Sequence, residues 1–358
     1  METKQKKKLL WQLPFLALLV IGSILIIRQQ HAMPYQKNQG FVFGTTYNIT
    51  YQSNDDLQQE IEAELKKVDR ALSMFNDSSV ITRINKGEEE INSDEIGTMF
   101  LEVYSIAQSV SDETNGAFDI TVAPLVNAWG FGFKHGEMPT AKQVDSLRHF
   151  IGYKKMTLTP PLPKTFPSIS KTLTGTYLLH KADKRMMLDC SAIAKGYGCD
   201  VVARLLCAHD IQNFMIEIGG EVITRGNNPQ RVPWKIGVVK PTDDTLAVAH
   251  ENQTVMNVTD KAMATSGNYR NFYYRGGKKY AHTIDPHTGY PVQHSLLSAT
   301  VLTKDCATAD AYATSFMVMG LEKAKEILEK HPELMAYLIY SDKNGELAVW
   351  QSPNLKEE

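Results

Sequence analysis

The stretch AHTIDPHTGYP, Ala281 to Pro291, gathers two histidines and an aspartate among threonines, prolines and a glycine within eleven positions. Asp285-Pro286 and the following Gly289 force a turn rather than a continued strand or helix. His282 and Asp285 therefore stand where a strand gives way to a turn. An imidazole there can take a proton from a hydroxyl nucleophile or settle charge on a phosphate. The structural alternative is a turn in which Asp285 caps its own backbone, with His287 facing solvent. A second polar signal follows in CATADAYATSF, Cys306 to Phe316. Its Asp310 and Thr314 stand one helical turn apart and share a face if the segment is helical. They offer the hard oxygens that Mg²⁺ prefers, and Mg²⁺ completes its shell with water and substrate phosphate. The flanking residues are small or apolar, so the pair sits on a largely buried helix and needs a partner. The alternative is an exposed turn with the threonine bonded back to its own helix.

Two further segments complete the list of chemically equipped stretches. LDCSAIAKGYG, Leu188 to Gly198, places Asp189 at a strand end and Ser191 to Lys195 at a helix start. Backbone amides at a helix N-terminus bind anions, and Lys195 can assist; Asp189 as a plain helix cap explains the pattern equally well. MIEIGGEVITRG, Met215 to Gly226, has Gly219-Gly220 after a strand, which permits close backbone approach to a ligand or a tight turn. Neither a Walker loop nor GxGxxG is present, so P-loop and Rossmann nucleotide sites are not supported.

The elements that must position these residues read as α+β, with mixed, mainly antiparallel sheets and packed helices. Apolar residues recur at helical spacing over Asp55–Phe75 and from Ile96 to Val110, the latter capped by Ser93 or Asp94. Short helices are expected near Thr140–His149, Ile193–Ala208, Ala307–Met319 and Leu321–Lys330. Strands are expected at Phe41–Tyr51, Thr176–Leu179, Met186–Asp189, Phe214–Ile218, Trp234–Val239, Asn271–Tyr274, Lys279–Thr283, Ser298–Thr303, Ala336–Tyr340 and Glu346–Trp350. The Gly276-Gly277 pair suits a hairpin turn.

Bulk numbers narrow the class. The 358 residues are 43% hydrophobic and 22% charged, ordinary for a globular chain with an ample core. A net charge of −2, with no basic stripe beyond the first eight residues, gives no sign of nucleic-acid binding. The four cysteines lack CxxC spacing, which argues against zinc and for buried free thiols. The N-terminus divides into a basic flank over residues 1–8, an apolar run over 9–27, a polar linker over 28–40 and the main domain from 41 to 358. The run is long enough to cross a bilayer, and its lysine-rich flank would stay in the cytoplasm. An uncleaved transmembrane anchor is the favoured reading, since Arg28, Gln29, Gln30 and His31 follow the run in place of an A-x-A site; a cleaved signal peptide is the rival.

Taken in order, FGTTYNI at Phe43, MFNDSSVITRIN at Met74, GAFDITVAPLVNAWGFG at Gly116, LDCSAIAKGYG at Leu188, MIEIGGEV at Met215, AMATSGNY at Ala262, AHTIDPHTGYP at Ala281 and CATADAYATS at Cys306 resemble the ApbE-type FAD:protein FMN transferase family. The resemblance implies Mg²⁺-dependent cleavage of FAD at its pyrophosphate, transfer of FMN to a threonine or serine hydroxyl of a partner protein, and release of AMP. It implies Asp310 and Thr314 as metal ligands, with Ala192 at a third ligand position where only its carbonyl is available. Phe43, Phe75, Ala117, Phe118, Asp119, Asp189, Lys195 and Ile284 match positions lining the FAD site. Phe75 stands where a hydroxyl-bearing aromatic often appears. His282 matches the histidine of the family's H-x-x-D-P-x-T-G motif, and with Asp285 is the expected catalytic pair. The implied acceptor is a membrane redox subunit, and the implied location is the bacterial inner membrane with the catalytic domain periplasmic. An FAD pyrophosphatase and a non-catalytic FAD-binding protein are the alternative readings.

Overall fold

The computed structural model describes residues 14–24, 33–132, 138–162, 173–241, 252–268, 272–275 and 278–356. Residues 14–24 are helical (α1). The chain then forms β1 (Tyr35–Val42), β2 (Thr45–Gln52), α2 (Gln58–Leu72), α3 (Val80–Asn85), β3 (Glu90–Asn92), α4 (Glu95–Glu113), α5 (Ala123–Ala128) and α6 (Ala141–Arg148). Next come β4 (Met156–Thr159), β5 (Thr176–Lys181), α7 (Ala194–Ala208), β6 (Phe214–Ile218), β7 (Glu221–Arg225), β8 (Lys235–Val239), β9 (Asn252–Asn257), β10 (Ala262–Gly267), β11 (Phe272–Arg275) and β12 (Lys278–Ala281). The last elements are β13 (Leu296–Thr303), α8 (Cys306–Met319), α9 (Leu321–Lys330), β14 (Met335–Ser341), β15 (Leu347–Gln351) and α10 (Pro353–Lys356).

Eight strands form one sheet in the order β1-β2-β6-β7-β10-β13-β14-β15, every neighbouring pair antiparallel. The α+β reading of the sequence therefore holds. Helices α7 and α8 pack on one face of the sheet, and α2 and α4 pack on them in turn. The β8–β9 hairpin joins a smaller cluster with Met263, Leu302, Tyr337 and Ile339. Central strand β13 is consequently buried along almost its whole length, which is why it shows no clean alternation.

Helix α8 is buried on nearly every side, and its run of alanines lets neighbours approach closely. Its first turn is held by two carboxylates. Asp305, the N-cap, accepts from the Thr308 amide at 3.0 Å. Asp200, projecting from α7, accepts from the Cys306 and Ala307 amides at 2.8 and 2.9 Å. These bonds satisfy amides that the helix itself leaves unpaired and place negative charge at its positive end. The two helices meet at Gly196, where an added Cβ would lie 2.3 Å from the Cys306 carbonyl oxygen.

Several elements differ from the sequence reading. The expected single strand over Phe41–Tyr51 is a hairpin, because Phe43 and Gly44 both take positive φ (52° and 75°), the signature of a two-residue type I′ connection. Strand β1 begins at Tyr35, inside the stretch read as a linker. The strand expected at Met186–Asp189 reduces to one bridge between Val122 and Met187. Gly276 and Gly277 lie outside the described residues, between the paired strands β11 and β12. Among the described residues no helix is long and apolar enough to cross a membrane. The other positions of the expected 9–27 span lie outside the described residues. All four cysteines are free, and three are buried, as expected.

Two outcomes follow from the α7–α8 contact. Gly196→Ala forces backbone against backbone, and urea unfolding is expected to show a loss of about 1–3 kcal/mol. Asp200 has its pKa raised to about 7 by burial and the neighbouring Asp305, against the hydrogen bonds it accepts from Cys306 and Ala307. A carboxyl raised on folding contributes stability that is complete at acid pH and is lost as pH rises through its folded value. Wild-type stability minus that of Asp200→Asn should therefore fall by on the order of 2 kcal/mol between about pH 5 and 8. A flat difference would show that Asp200 is not the titrating group.

Candidate active site

Six segments converge on one cleft of about 390 Å³, within the size range of small-molecule sites. They are the turn before α5, the start of α7, the β6–β7 turn, the end of β10, the segment after β12 and one face of α8. The β6–β7 turn is a two-residue connection in which Gly219 and Gly220 have φ of 63° and 104°. A side chain at Gly219 would meet Thr45 and the stem of Lys195. The absent side chain leaves Lys195 its path into the cleft.

The deepest charged group is a triad. The Lys195 ammonium lies 3.4 Å from Glu221 Oε1 and 3.8 Å from Asp310 Oδ2. Asp310 Oδ2 also accepts from the Gly196 amide at 3.2 Å. Glu221 and Asp310 are only 3% and 2% exposed. Burial opposes charge on Lys195, but Asp310 and Glu221 outweigh it and hold the ammonium's pKa above its ordinary value. Burial raises both carboxyls, with Lys195 pulling the other way. When all three ionise, two negative charges face one positive charge, and Glu221 Oε2 is buried with no hydrogen-bond partner among the described residues. An orphaned carboxylate oxygen and a negative excess fit a small hard cation. Beside them, Thr314 Oγ1 is 3.1 Å from Ser266 Oγ, and Ala192 also lines the cleft. Among the described residues no three His, Cys, Asp and Glu side chains are grouped to hold a metal, so the donor set on offer is a carboxylate, a hydroxyl and backbone oxygen, suited to Mg²⁺ rather than zinc.

The structure brings most of the expected residues together. Ala117, Phe118, Asp119, Asp189, Ala192, Lys195, His282, Ile284, Asp310 and Thr314 all line the cleft. Asp119 does so with its oxygens engaged: Oδ1 accepts from the Thr121 amide and hydroxyl, and Oδ2 from the Tyr153 amide. Asp189 accepts from the Ser191 amide at 2.8 Å, shaping the approach to α7. His282 is half-buried, with the edge of its ring toward Phe131 at 6.4 Å between centroids.

Phe43 and Phe75 line a second cavity of about 500 Å³, which shares Ser191 and Lys195 with the first. Phe75 is 69% exposed, a large apolar ring at the cavity mouth. Asp285 is placed differently from the expectation of a catalytic pair. It is not among the residues lining the cleft, and it accepts from His287 through both the amide at 2.9 Å and Nδ1 at 3.1 Å. His287 Nε2 in turn lies 2.8 Å from the Asn115 carbonyl. The Asp285 carboxylate raises the His287 pKa above its ordinary value. His287 is exposed, as expected, and it also ties the turn to the end of α4.

Sequence reasoning missed Glu221 and Ser266. Both lie inside stretches singled out above, after the Gly219-Gly220 pair and within AMATSGNY. A carboxylate directly after a glycine pair that ends a strand was the available signal for Glu221. Ser266 offered none, since β10 has no amphipathic pattern.

The ApbE family model matches residues 43–339. The FAD:protein FMN transferase of Haemophilus influenzae is 37% identical over 315 residues, 86% of each chain. That of Vibrio cholerae is 36% identical over 311 residues, covering 85% of this chain and 87% of the relative. Among solved structures, the flavin transferase ApbE from Vibrio cholerae superposes with a TM-score of 0.76 at 34% identity, covering 91% of this chain and 99% of that one. The flavinyl transferase ApbE from Pseudomonas stutzeri, in its apo form, gives 0.74 at 28% identity, covering 91% and 96%. The family match runs from Phe43 at the second cavity past Thr314 on α8, so it contains every segment that builds the cleft, and the chain belongs to the ApbE family.

Proposed function

We propose that this chain transfers FMN from FAD to a threonine or serine hydroxyl of a partner protein, forming a phosphoester and releasing AMP, with Mg²⁺ as the required ion. The observation that carries the reading is the junction of the two cavities at Lys195, beside the carboxylate–hydroxyl pair of Asp310 and Thr314. A dinucleotide has two bulky ends joined by a pyrophosphate, and two cavities meeting at an ammonium suit that shape. Asp310, Thr314 and the Ala192 carbonyl would hold the ion. When bound, Mg²⁺ supplies charge neutralisation at the pyrophosphate oxygens and stabilises the leaving phosphate.

The chain's own groups account for the rest. Lys195 orients the pyrophosphate and offsets its charge. The acceptor oxygen attacks the phosphorus on the FMN side, its new P–O bond forming as the P–O bond to AMP breaks. His282, at the cleft wall, takes the proton that the hydroxyl loses. Asp285 serves by fixing the turn that carries His282, through His287 and Asn115. Phe118 and Ile284, both buried, supply apolar wall, and Phe75 supplies an exposed ring for stacking.

The acceptor is proposed to be a membrane redox subunit. The basic flank at Lys4, Lys6, Lys7 and Lys8 and the apolar run after it support an inner-membrane anchor with the catalytic domain in the periplasm. Purified chain, FAD, Mg²⁺ and an acceptor protein bearing a target threonine should give a flavin-fluorescent acceptor band in a denaturing gel. Asp310→Asn and His282→Ala are each expected to slow labelling by about 10²-fold or more, and chelation of Mg²⁺ to abolish it. Release of FMN and AMP without any labelled acceptor would instead make the protein a pyrophosphatase.

A further inference from the structure

The Mg²⁺ reading of Asp310 assigns nothing to Glu221, yet Glu221 is the more unusual group. It is 3% exposed, lines the cleft, and keeps Oε2 buried with no hydrogen-bond partner among the described residues. Such a group is costly to keep without a role, because an unpaired buried acceptor forfeits its hydration. Its other oxygen, Oε1, is nearer to the Lys195 ammonium than Asp310 Oδ2 is, 3.4 against 3.8 Å. Both the ammonium and the Gly196 amide reach Asp310 through Oδ2, and no protein contact engages Oδ1 among those described.

A lone ammonium beside a lone carboxylate closes onto it, and the cation would then compete with Lys195 for Asp310. A second carboxylate that engages the ammonium more closely, as Glu221 does, lessens that competition. We propose that Glu221 is a positioning residue for the transfer reaction: it draws Lys195 away from Asp310, so that Asp310 stays open to the divalent cation, and its Oε2 accepts from the cation's water shell. This rests on the reading of Asp310 and Thr314 as the cation site. It fits the glycine at 219, where an added Cβ would lie 3.1 Å from the Lys195 stem. It also explains why the carboxylate directly follows the β6–β7 turn, where the hairpin register fixes it opposite Ile218.

The test is Mn²⁺ binding to the full chain without FAD, followed by loss of the free-ion EPR signal, with circular dichroism confirming the fold of each variant. Glu221→Gln leaves Lys195 to close on Asp310, and Mn²⁺ affinity should fall by about 10-fold or more, the range seen when a group supporting a ligand is removed. Glu221→Asp, which keeps the charge, should retain most of the affinity. The double variant Glu221→Gln with Lys195→Met removes the competitor together with its restraint, and should bind Mn²⁺ more tightly than Glu221→Gln alone. Because losing a nearby positive charge strengthens cation binding by itself, the gain from Lys195→Met must be larger in the Glu221→Gln background than in the wild type. Wild-type affinity in Glu221→Gln, or a gain from Lys195→Met no larger than in the wild type, overturns the proposal. If wild-type and Asp310→Asn bind Mn²⁺ equally poorly, the cation reading of Asp310 fails first and takes this inference with it.

Discussion

At the crossing of α7 and α8, the backbone of Gly196 lies against the Cys306 carbonyl, and the Asp200 carboxylate of one helix closes the first turn of the other. The site depends on this contact. Lys195 and Gly196 belong to the first turn of α7, and Asp310 to the second turn of α8, so helix separation sets the distance between ammonium and carboxylate. A pair of helices spaced by ordinary side chains would hold those groups well apart. Here glycine on one helix and alanines on the other bring the backbones together, and the Gly196 amide itself becomes a donor to Asp310.

Burying so much charge is unfavourable unless each group answers to another. The arrangement meets that condition in part: one ammonium serves two carboxylates, one amide serves Asp310, and one oxygen of Glu221 is left over. A site that were fully satisfied on its own would resist a cation, because binding would first break an existing contact. A site with a surplus acceptor, and with a negative excess once both carboxyls ionise, gains from one. The buried triad is therefore better understood as an incomplete assembly than as an ion pair contributing to stability.

Much of this was legible in the sequence, for physical reasons that differ from element to element. Helix α4 announced itself through its apolar period and the Asp94 cap, whose side chain does accept from the Gly97 amide. That Asp310 and Thr314 share one face of α8 at the cleft was readable because they are separated by one turn among alanines. Strand β10 was not, because a strand buried between β7 and β13, made of small residues, lacks alternation. The β1–β2 hairpin was read as one strand because Phe43, with no small side chain, adopts the left-handed backbone that glycine usually marks. Glu221 escaped for another reason. Its meaning lies in the ion pair with Lys195, which also faces Asp310, and its place after the glycine pair does not reveal a relation between three separate elements.

The same distinction separates His282 from its neighbours in the AHTIDPHTGYP turn. Local sequence offers two histidines and an aspartate as equals, and the fold assigns them unequal work. Burial opposes charge on Asp285, but hydrogen bonds from His287 and Thr288 prevail and hold its carboxyl below the ordinary value. His287 bridges that carboxylate and the Asn115 carbonyl, and the Trp129 indole donates to the Gly289 carbonyl at 2.8 Å. These contacts fix the turn from three sides without entering the cleft. His282 precedes them by only a few residues, on the wall that does enter it. A base that must meet a hydroxyl delivered by another protein gains from a rigid mount, because every degree of freedom removed beforehand is one the encounter need not remove. The polar residues of the turn are therefore mostly scaffold, and their density marks where the proposed base, His282, is held.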